Sequence, residues 1–229
     1  MSIAMYDLAG ADPALRFSPY CWRTRFALAQ KGLAAEFIPW RFAEHEKLAF
    51  SGQTRVPVLI DGENVISDSW EIALDLDRRY PDRPALFPGG GTAHALFLNA
   101  WADTIILPAI ARLIVADIPL ALDQASAAYF RASREKALGG NLETIVAGRE
   151  TRVAAFQSLL LPARRVLARA SWLGGDAPDY ADYILAGTLM WPRCVSRFPV
   201  LAADDPVAAW FGRVLALFDG LGAKAKTVG

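Results

Sequence analysis

Ser18 and Pro19 begin a stretch whose residue types and spacing admit chemistry. Ser is a preferred N-cap and Pro a preferred first helical residue, so the Ser18 oxygen stands where a helix starts. A cap needs no further role. The same geometry nevertheless lets a hydroxyl donate to a thiolate, while the helix dipole and the free N–H groups favour the negative charge. A thiol of ordinary pKa, about 8.5, is mostly protonated at neutral pH, so such a place raises the fraction of active nucleophile. Cys21 follows at C-x-x-C spacing with serine in place of the first cysteine, which removes dithiol chemistry. Inside the helix and beside Trp22, Cys21 reads as a buried structural thiol rather than a reactive one.

Asp68-Ser69 is a second pair of natural cap residues at a helix start. Ser69 with its N-terminal N–H groups suits a carboxylate and Asp68 suits an ammonium, and one end of an amino acid carries both. The cap-only alternative stays open here too. Val56-Pro57 opens a strand, where proline cannot donate to a ladder and stands either at an edge or for a special reason.

The elements that must position these residues alternate over the first eighty positions. Ile3 to Leu8 is a strand candidate; Pro19 to Lys31 has helical apolar spacing, with Gly32 as a stop; Glu36 to Trp40 is a second strand. Arg41 to Gln53 is polar and holds a short helix. Val56 to Ile60 and Asn64 to Ile66 flank Asp61-Gly62-Glu63, a hairpin signal, and Asp68 to Tyr80 is helical. The order, βαβ, a short helix, then ββα, matches a thioredoxin-like layout. In such folds a proline at the position of Pro57 follows a cis bond, which exposes the Val56 N–H and C=O to an extended peptide ligand.

Pro81, Pro84, Pro88 and Gly89 to Gly91 form the break between domains. The expected division is therefore an α/β thioredoxin-like domain over 1–82, a linker over 83–91 and an all-α helical bundle over 92–229. Helical periodicity covers Thr92 to Asp117, Asp123 to Leu138, Arg149 to Ala170, Tyr180 to Arg197 and Pro206 to Leu221, with Gly139 to Gly148 a loop or short helix.

Composition removes several function classes. The 24 basic and 24 acidic residues cancel without a basic stripe, which argues against a nucleic-acid partner. Two cysteines and two histidines offer neither a disulfide framework nor a metal cluster. The N-terminus lacks a secretory pattern, and the richest apolar stretch, Trp101 to Leu122, is interrupted by Asp103, Pro108, Arg112, Asp117 and Pro119. It reads as a buried helix, and the expectation is a cytoplasmic protein with no membrane span.

S-P-Y-C-W-R at 18–23, R-V-P-V-L at 55–59 and D-S-W at 68–70, in that order and spacing, resemble the soluble glutathione transferases. Within them, F-S-P-Y-C-W-R-T-R-F-A-L-A-Q-K-G-L is most similar to serine-type bacterial etherases and fungal etherase-like transferases, with a weaker likeness to the zeta class. The resemblance implies glutathione as co-substrate, with no metal. It implies Ser18 as the thiol-activating hydroxyl, Val56 before Pro57 as the backbone clamp on the cysteinyl unit, and Asp68 with Ser69 as the γ-glutamyl site. Arg55 is placed to reach the glycyl carboxylate, with Lys47, Gln53 and Arg41 as weaker candidates. Asp68 stands where many members have Glu, which shortens the reach and keeps the charge.

Asp179-Tyr180-Ala181-Asp182 resembles the family's capping motif for a buried helix, a capping box with Asp for Glu. A hydrophobic electrophile would lie between the domains, with Tyr20, Trp101, Ile105, Leu113 and Tyr129 as wall candidates, for each of which core packing is the stronger reading. A homodimer is expected from the resemblance. Two other classes stay open: a non-catalytic binding or assembly protein on the same fold, and a glutathione-dependent thiol reductase, against which Ser18 counts.

Overall fold

Four short β-branched and aromatic runs form one mixed sheet in the computed structural model of the protein, which describes residues 3–229. β1 (Ile3–Leu8) lies parallel to β2 (Ala35–Trp40) and antiparallel to β3 (Val58–Asp61), and β3 pairs antiparallel with β4 (Asn64–Ser67), giving the order β2-β1-β3-β4. Met5 faces Phe37 on one side and Leu59 on the other. The parallel pair requires a crossover, which α1 (Pro19–Gln30) supplies. The third strand begins at Val58, two residues later than its apolar pattern suggests, because Pro57 has no N–H for the ladder. Gly62 turns the hairpin at φ 64°, and Asp61 stays in the strand opposite Asn64. α2 (Ser69–Arg79) closes this thioredoxin-like unit, and a 3₁₀ turn, His45–Ser51, is the short helix between β2 and β3.

The rest is helical: α3 (Ala93–Trp101), α4 (Leu107–Ile114), α5 (Gln124–Leu138), α6 (Leu142–Val146), α7 (Arg149–Leu159), α8 (Leu161–Leu167), α9 (Tyr180–Val195) and α10 (Pro206–Gly220). α3 and α4 form one rod through a π turn, Ala102–Ile106. Ala93–Ile114 spans 22 residues at a mean hydropathy of 1.4 over its most apolar window. By length and composition alone it reaches the size of a membrane span, a test that a core helix of a folded protein also passes. The single pattern from Arg149 to Ala170 is broken at Leu160, since Pro162 cannot continue the preceding helix. α10 bends where Leu217 to Asp219 leave helical backbone.

The core centres on α9, buried along nearly its whole length and packed on α1. Gly187 permits that approach: a Cβ there would lie 2.6 Å from the Pro19 carbonyl oxygen. Beside it, the fully buried Arg23 donates to Asn99 Oδ1 at 3.0 Å, Asp103 Oδ1 at 2.7 Å and Thr188 Oγ1 at 3.0 Å. One guanidinium thus ties the start of α1 to the π turn and to α9.

Candidate active site

Ser18 caps α1: its Oγ accepts the Cys21 N–H at 3.2 Å, and Pro19 occupies the first turn. The loop delivering Ser18 is held from several sides. Arg16 donates to the carbonyls of Pro13, Asp7 and Phe37, and Trp22 Nε1 donates to the Arg16 carbonyl at 2.8 Å. Arg41 donates to the carbonyls of Gly10 and Ala11, both at 3.1 Å. Gly10 also meets the helical domain, since a Cβ there would sit 2.6 Å from the Ala121 carbonyl oxygen. Ser18 is 3% exposed, and among the described residues its hydroxyl donates to no oxygen or nitrogen; the buried Cys21 sulfur is its one neighbouring acceptor.

Beneath it lies Cys21, fully buried, its thiol pushed well above the usual range by burial and then by the buried Asp7 carboxylate, with the Ser18 hydroxyl acting the other way. Asp7 is paired with Arg25 at 2.7 Å and Arg16 at 3.5 Å. Cys21 is therefore a protonated core thiol, as its sequence position suggests. Cys194 is buried likewise, and burial lifts its pKa to about 12.

Ser18 lines a cleft of about 490 Å³ between the two domains, shared with Tyr20, Arg55 and Val56 from the first domain and Asp103, Leu107 and Arg134 from the second. The Val56–Pro57 bond is cis, and Val56, outside the sheet ladder, makes no backbone hydrogen bond through its N–H or C=O among the described residues. Tyr20 stacks under Arg23 at 4.8 Å. Its phenol is pushed up by burial first and by the Asp103 carboxylate second, so it stays protonated.

Asp68 and Ser69 stand at the start of α2, outside the walls of this cleft. Asp68 is the N-cap, at φ 74°, and one oxygen accepts from the N–H groups of Trp70 at 2.8 Å and Glu71 at 3.3 Å. Ser69 is buried, and its carbonyl accepts the Tyr180 hydroxyl at 2.5 Å. The first residue of α9 thus steadies the first turn of α2.

Other sequence candidates lie elsewhere. Trp101 and Ile105 are not cleft residues: Trp101 packs against the core, and Ile105 is 43% exposed on another face of the rod. Leu113 is core. Lys47 pairs with Glu44 at 2.7 Å, and Gln53 is exposed and bonds Ser51 through its backbone. Neither lines the cleft. Tyr129 does line it, stacked on Phe42 at 6.2 Å, and Phe130 lies tilted against the same Phe42 at 5.6 Å. Asp103, Leu107, Phe130 and Arg134 were not singled out from sequence. The charges of Asp103 and Arg134 resemble those of any solvated helix face. Among the described residues no group of three or more His, Cys, Asp or Glu side chains could hold a metal ion.

The α9 start bears no such opening. Asp179 accepts the Ala181 N–H at 2.8 Å, and Asp182 reaches back to the Asp179 N–H at 3.2 Å, completing the capping box. Asp182 also accepts from Leu173 N–H, Gly174 N–H and Trp210 Nε1 at 2.7 to 2.9 Å.

Comparison with known proteins agrees with this architecture. Residues 35% identical over a 94-residue match relate the chain to a zeta-class glutathione S-transferase of Euphorbia esula; the match covers 39% of this chain and 40% of that protein, well under its full length. Glutathione transferase GSTFuA3 from Phanerochaete chrysosporium superposes with a TM-score of 0.77 at 30% identity, over 98% of this chain and 94% of that one. A glutathione S-transferase of Ceriporiopsis subvermispora, crystallised with glutathione, superposes with a TM-score of 0.79 at 26% identity, over 96% and 97%. Residues 13–84 match the glutathione S-transferase N-terminal domain and residues 92–213 the C-terminal domain, so the chain belongs to the glutathione S-transferase family.

Proposed function

We propose that the protein is a glutathione transferase in which Ser18 stabilises the thiolate of bound glutathione for attack on a hydrophobic electrophile, an aryl-ether carbon included. The observation that carries this reading is the state of the Ser18 hydroxyl. Its lone pair accepts the Cys21 N–H, while its proton has no oxygen or nitrogen acceptor among the described residues and only the weak Cys21 sulfur beside it, at the cleft wall and at the positive end of α1. Sulfur placed there receives that hydrogen bond together with the helix field, and both favour the anion over the thiol.

The rest of the tripeptide has matching partners. The unpaired Val56 N–H and C=O suit the cysteinyl unit as an added strand, and Arg55 suits the glycyl carboxylate. The Ser69 turn suits the γ-glutamyl carboxylate, and the second oxygen of Asp68 suits its ammonium. In the reaction the thiolate forms a C–S bond while halide or aryloxide leaves with the electron pair of the broken bond. Such chemistry belongs in a compartment that keeps glutathione reduced, which we take to be the cytoplasm. We also take the working unit to be a homodimer, since Leu96, Phe97 and Ile105 expose apolar surface on the outer side of the rod; sedimentation at micromolar concentration tests this.

The thiolate absorbance of bound glutathione, followed against pH in wild type and Ser18→Ala with turnover of an aryl halide and a β-aryl ether, tests the mechanism. A higher thiol pKa and slower turnover are expected in the variant. An unchanged pKa with full turnover would remove Ser18 from the reaction.

A further inference from the structure

Three charged side chains line the cleft: Asp103, Arg55 and Arg134. Asp103 is neutralised within the fold by Arg23 at 2.7 Å and further bound by Asn99 at 3.2 Å. Arg55 and Arg134 pair with no carboxylate among the described residues. The contrast along α5 is sharp. Arg131, one turn earlier, is held by both Glu135 at 2.9 Å and Glu143 at 2.8 Å, whereas among the described residues the only hydrogen-bond partner of Arg134 is the neighbouring Ser133 hydroxyl at 3.4 Å. Acids are available on this surface, and none serves Arg134.

Arg134 sits over the ring of Phe130, its guanidinium carbon 5.0 Å from the ring centroid, and Phe130 and Tyr129 meet Phe42 of the first domain. This is the acceptor side of the cleft. Bound glutathione brings two carboxylates, one ammonium and a thiolate, and each already has a partner in the reading above: Ser69, Arg55, Asp68 and Ser18. Arg134 is left over next to an aromatic wall; burial disfavours its charge most, Tyr129 works the other way, and nearby Arg55 disfavours it further. A second anion in the cleft would relieve both.

We infer that the acceptor is a flat aromatic molecule bearing an anionic substituent such as a carboxylate, gripped by Arg134 while its ring lies against Phe42, Tyr129 and Phe130. The inference rests on the transferase reading and names the substrate class of the same site. Guanidinium and carboxylate match as a two-pronged pair, which orients the ring as well as holding it.

A chloronitrobenzoate, its chlorine ortho to the nitro group, and the methyl ester of the same acid differ only in that charge. With either, the thiolate forms a C–S bond, chloride leaves with the C–Cl electron pair, and the thiol proton passes to solvent. Binding of the two preformed glutathione conjugates, measured by calorimetry, removes any dependence on turnover. Wild type should bind the carboxylate conjugate about five- to tenfold more tightly than the ester. Arg134→Gln should bring that ratio near one without weakening free glutathione, and Arg134→Glu should invert it. Equal affinity in wild type, or a preference that survives in Arg134→Gln, would overturn the assignment. Loss of affinity for glutathione itself in Arg134→Gln would give Arg134 to the tripeptide and overturn it as well. Binding of both conjugates without preference sinks only the charge assignment; binding of neither, nor of glutathione, sinks the transferase reading beneath it.

Discussion

Two helix starts in this molecule solve the same backbone problem with opposite consequences. At α1, one small hydroxyl accepts one N–H, and its residue lines a cleft. At α9, two carboxylates accept from Ala181, Asp179, Leu173, Gly174 and Trp210, and the group is shut in the core. Both satisfy orphan donors of the first turn. A cap becomes a chemical site when its hydrogen-bonding capacity is left unfilled by the protein and open to a ligand; when the protein fills it, the same motif is a structural joint.

The comparison breaks if removing the α9 joint spares the fold. Asp182→Ala leaves four buried donors without an acceptor, and a loss of about 4 kcal/mol in unfolding free energy by urea titration is expected. At α1 the expected order is reversed. Ser18→Ala should slow turnover of a model aryl halide about a hundredfold, while losing only about 1 kcal/mol of stability. Ser18→Gly sharpens this, because glycine is a tolerable cap: its stability loss should be only a few tenths of a kcal/mol, with the same fall in rate. A rate loss that tracked stability across the two variants would show that Ser18 matters only as a cap.

The α1 start was legible because its signals are local: Ser-Pro, the apolar spacing of Trp22 and Phe26, and the stop at Gly32 lie within fifteen residues. The capping box at Asp179 was legible for the same reason. Which face of the α3–α4 rod meets the cleft was not. Periodicity offered Trp101 and Ile105, but docking is set by Arg23 reaching Asn99 and Asp103, 76 and 80 residues away, and that turns Asp103 and Leu107 inward. Arg134 was hidden in the same way. An unpaired arginine differs from a paired one such as Arg131 only through its neighbours in space.

The α9 start also reaches the start of α2, and a smaller effect measures how much. The Tyr180 hydroxyl, on the first residue of α9, donates to the Ser69 carbonyl in the first turn of α2. Burial raises its pKa, so it stays a donor throughout the working pH range. Tyr180→Phe should cost about 1 kcal/mol of stability and raise the KM for glutathione a few-fold, with kcat little changed. A fall in kcat at unchanged KM would place the connection at Ser18 instead.

The mildest test alters pH and asks whether a filled cap depends on its charge. Asp205 caps α10, accepting the Val207 N–H at 2.9 Å and a two-pronged contact from Arg164 at 2.6 to 3.2 Å. Burial alone would raise its pKa, but the Arg164 hydrogen bonds and the Val207 N–H outweigh it, and the carboxyl lies below its ordinary 3.8. A lowered carboxyl pKa means stability that is present above 3.8 and lost as pH falls through the folded value. At Asp182 burial wins and the pKa is raised, so ionisation there costs stability, and that cost fades as pH falls through the raised value. Asp205→Asn should therefore destabilise by about 1 kcal/mol at pH 7, with the difference from wild type shrinking toward zero below pH 3.8. A difference that persisted in acid would assign the Asp205 contribution to its shape rather than its charge, leaving Arg164 a bystander at that cap.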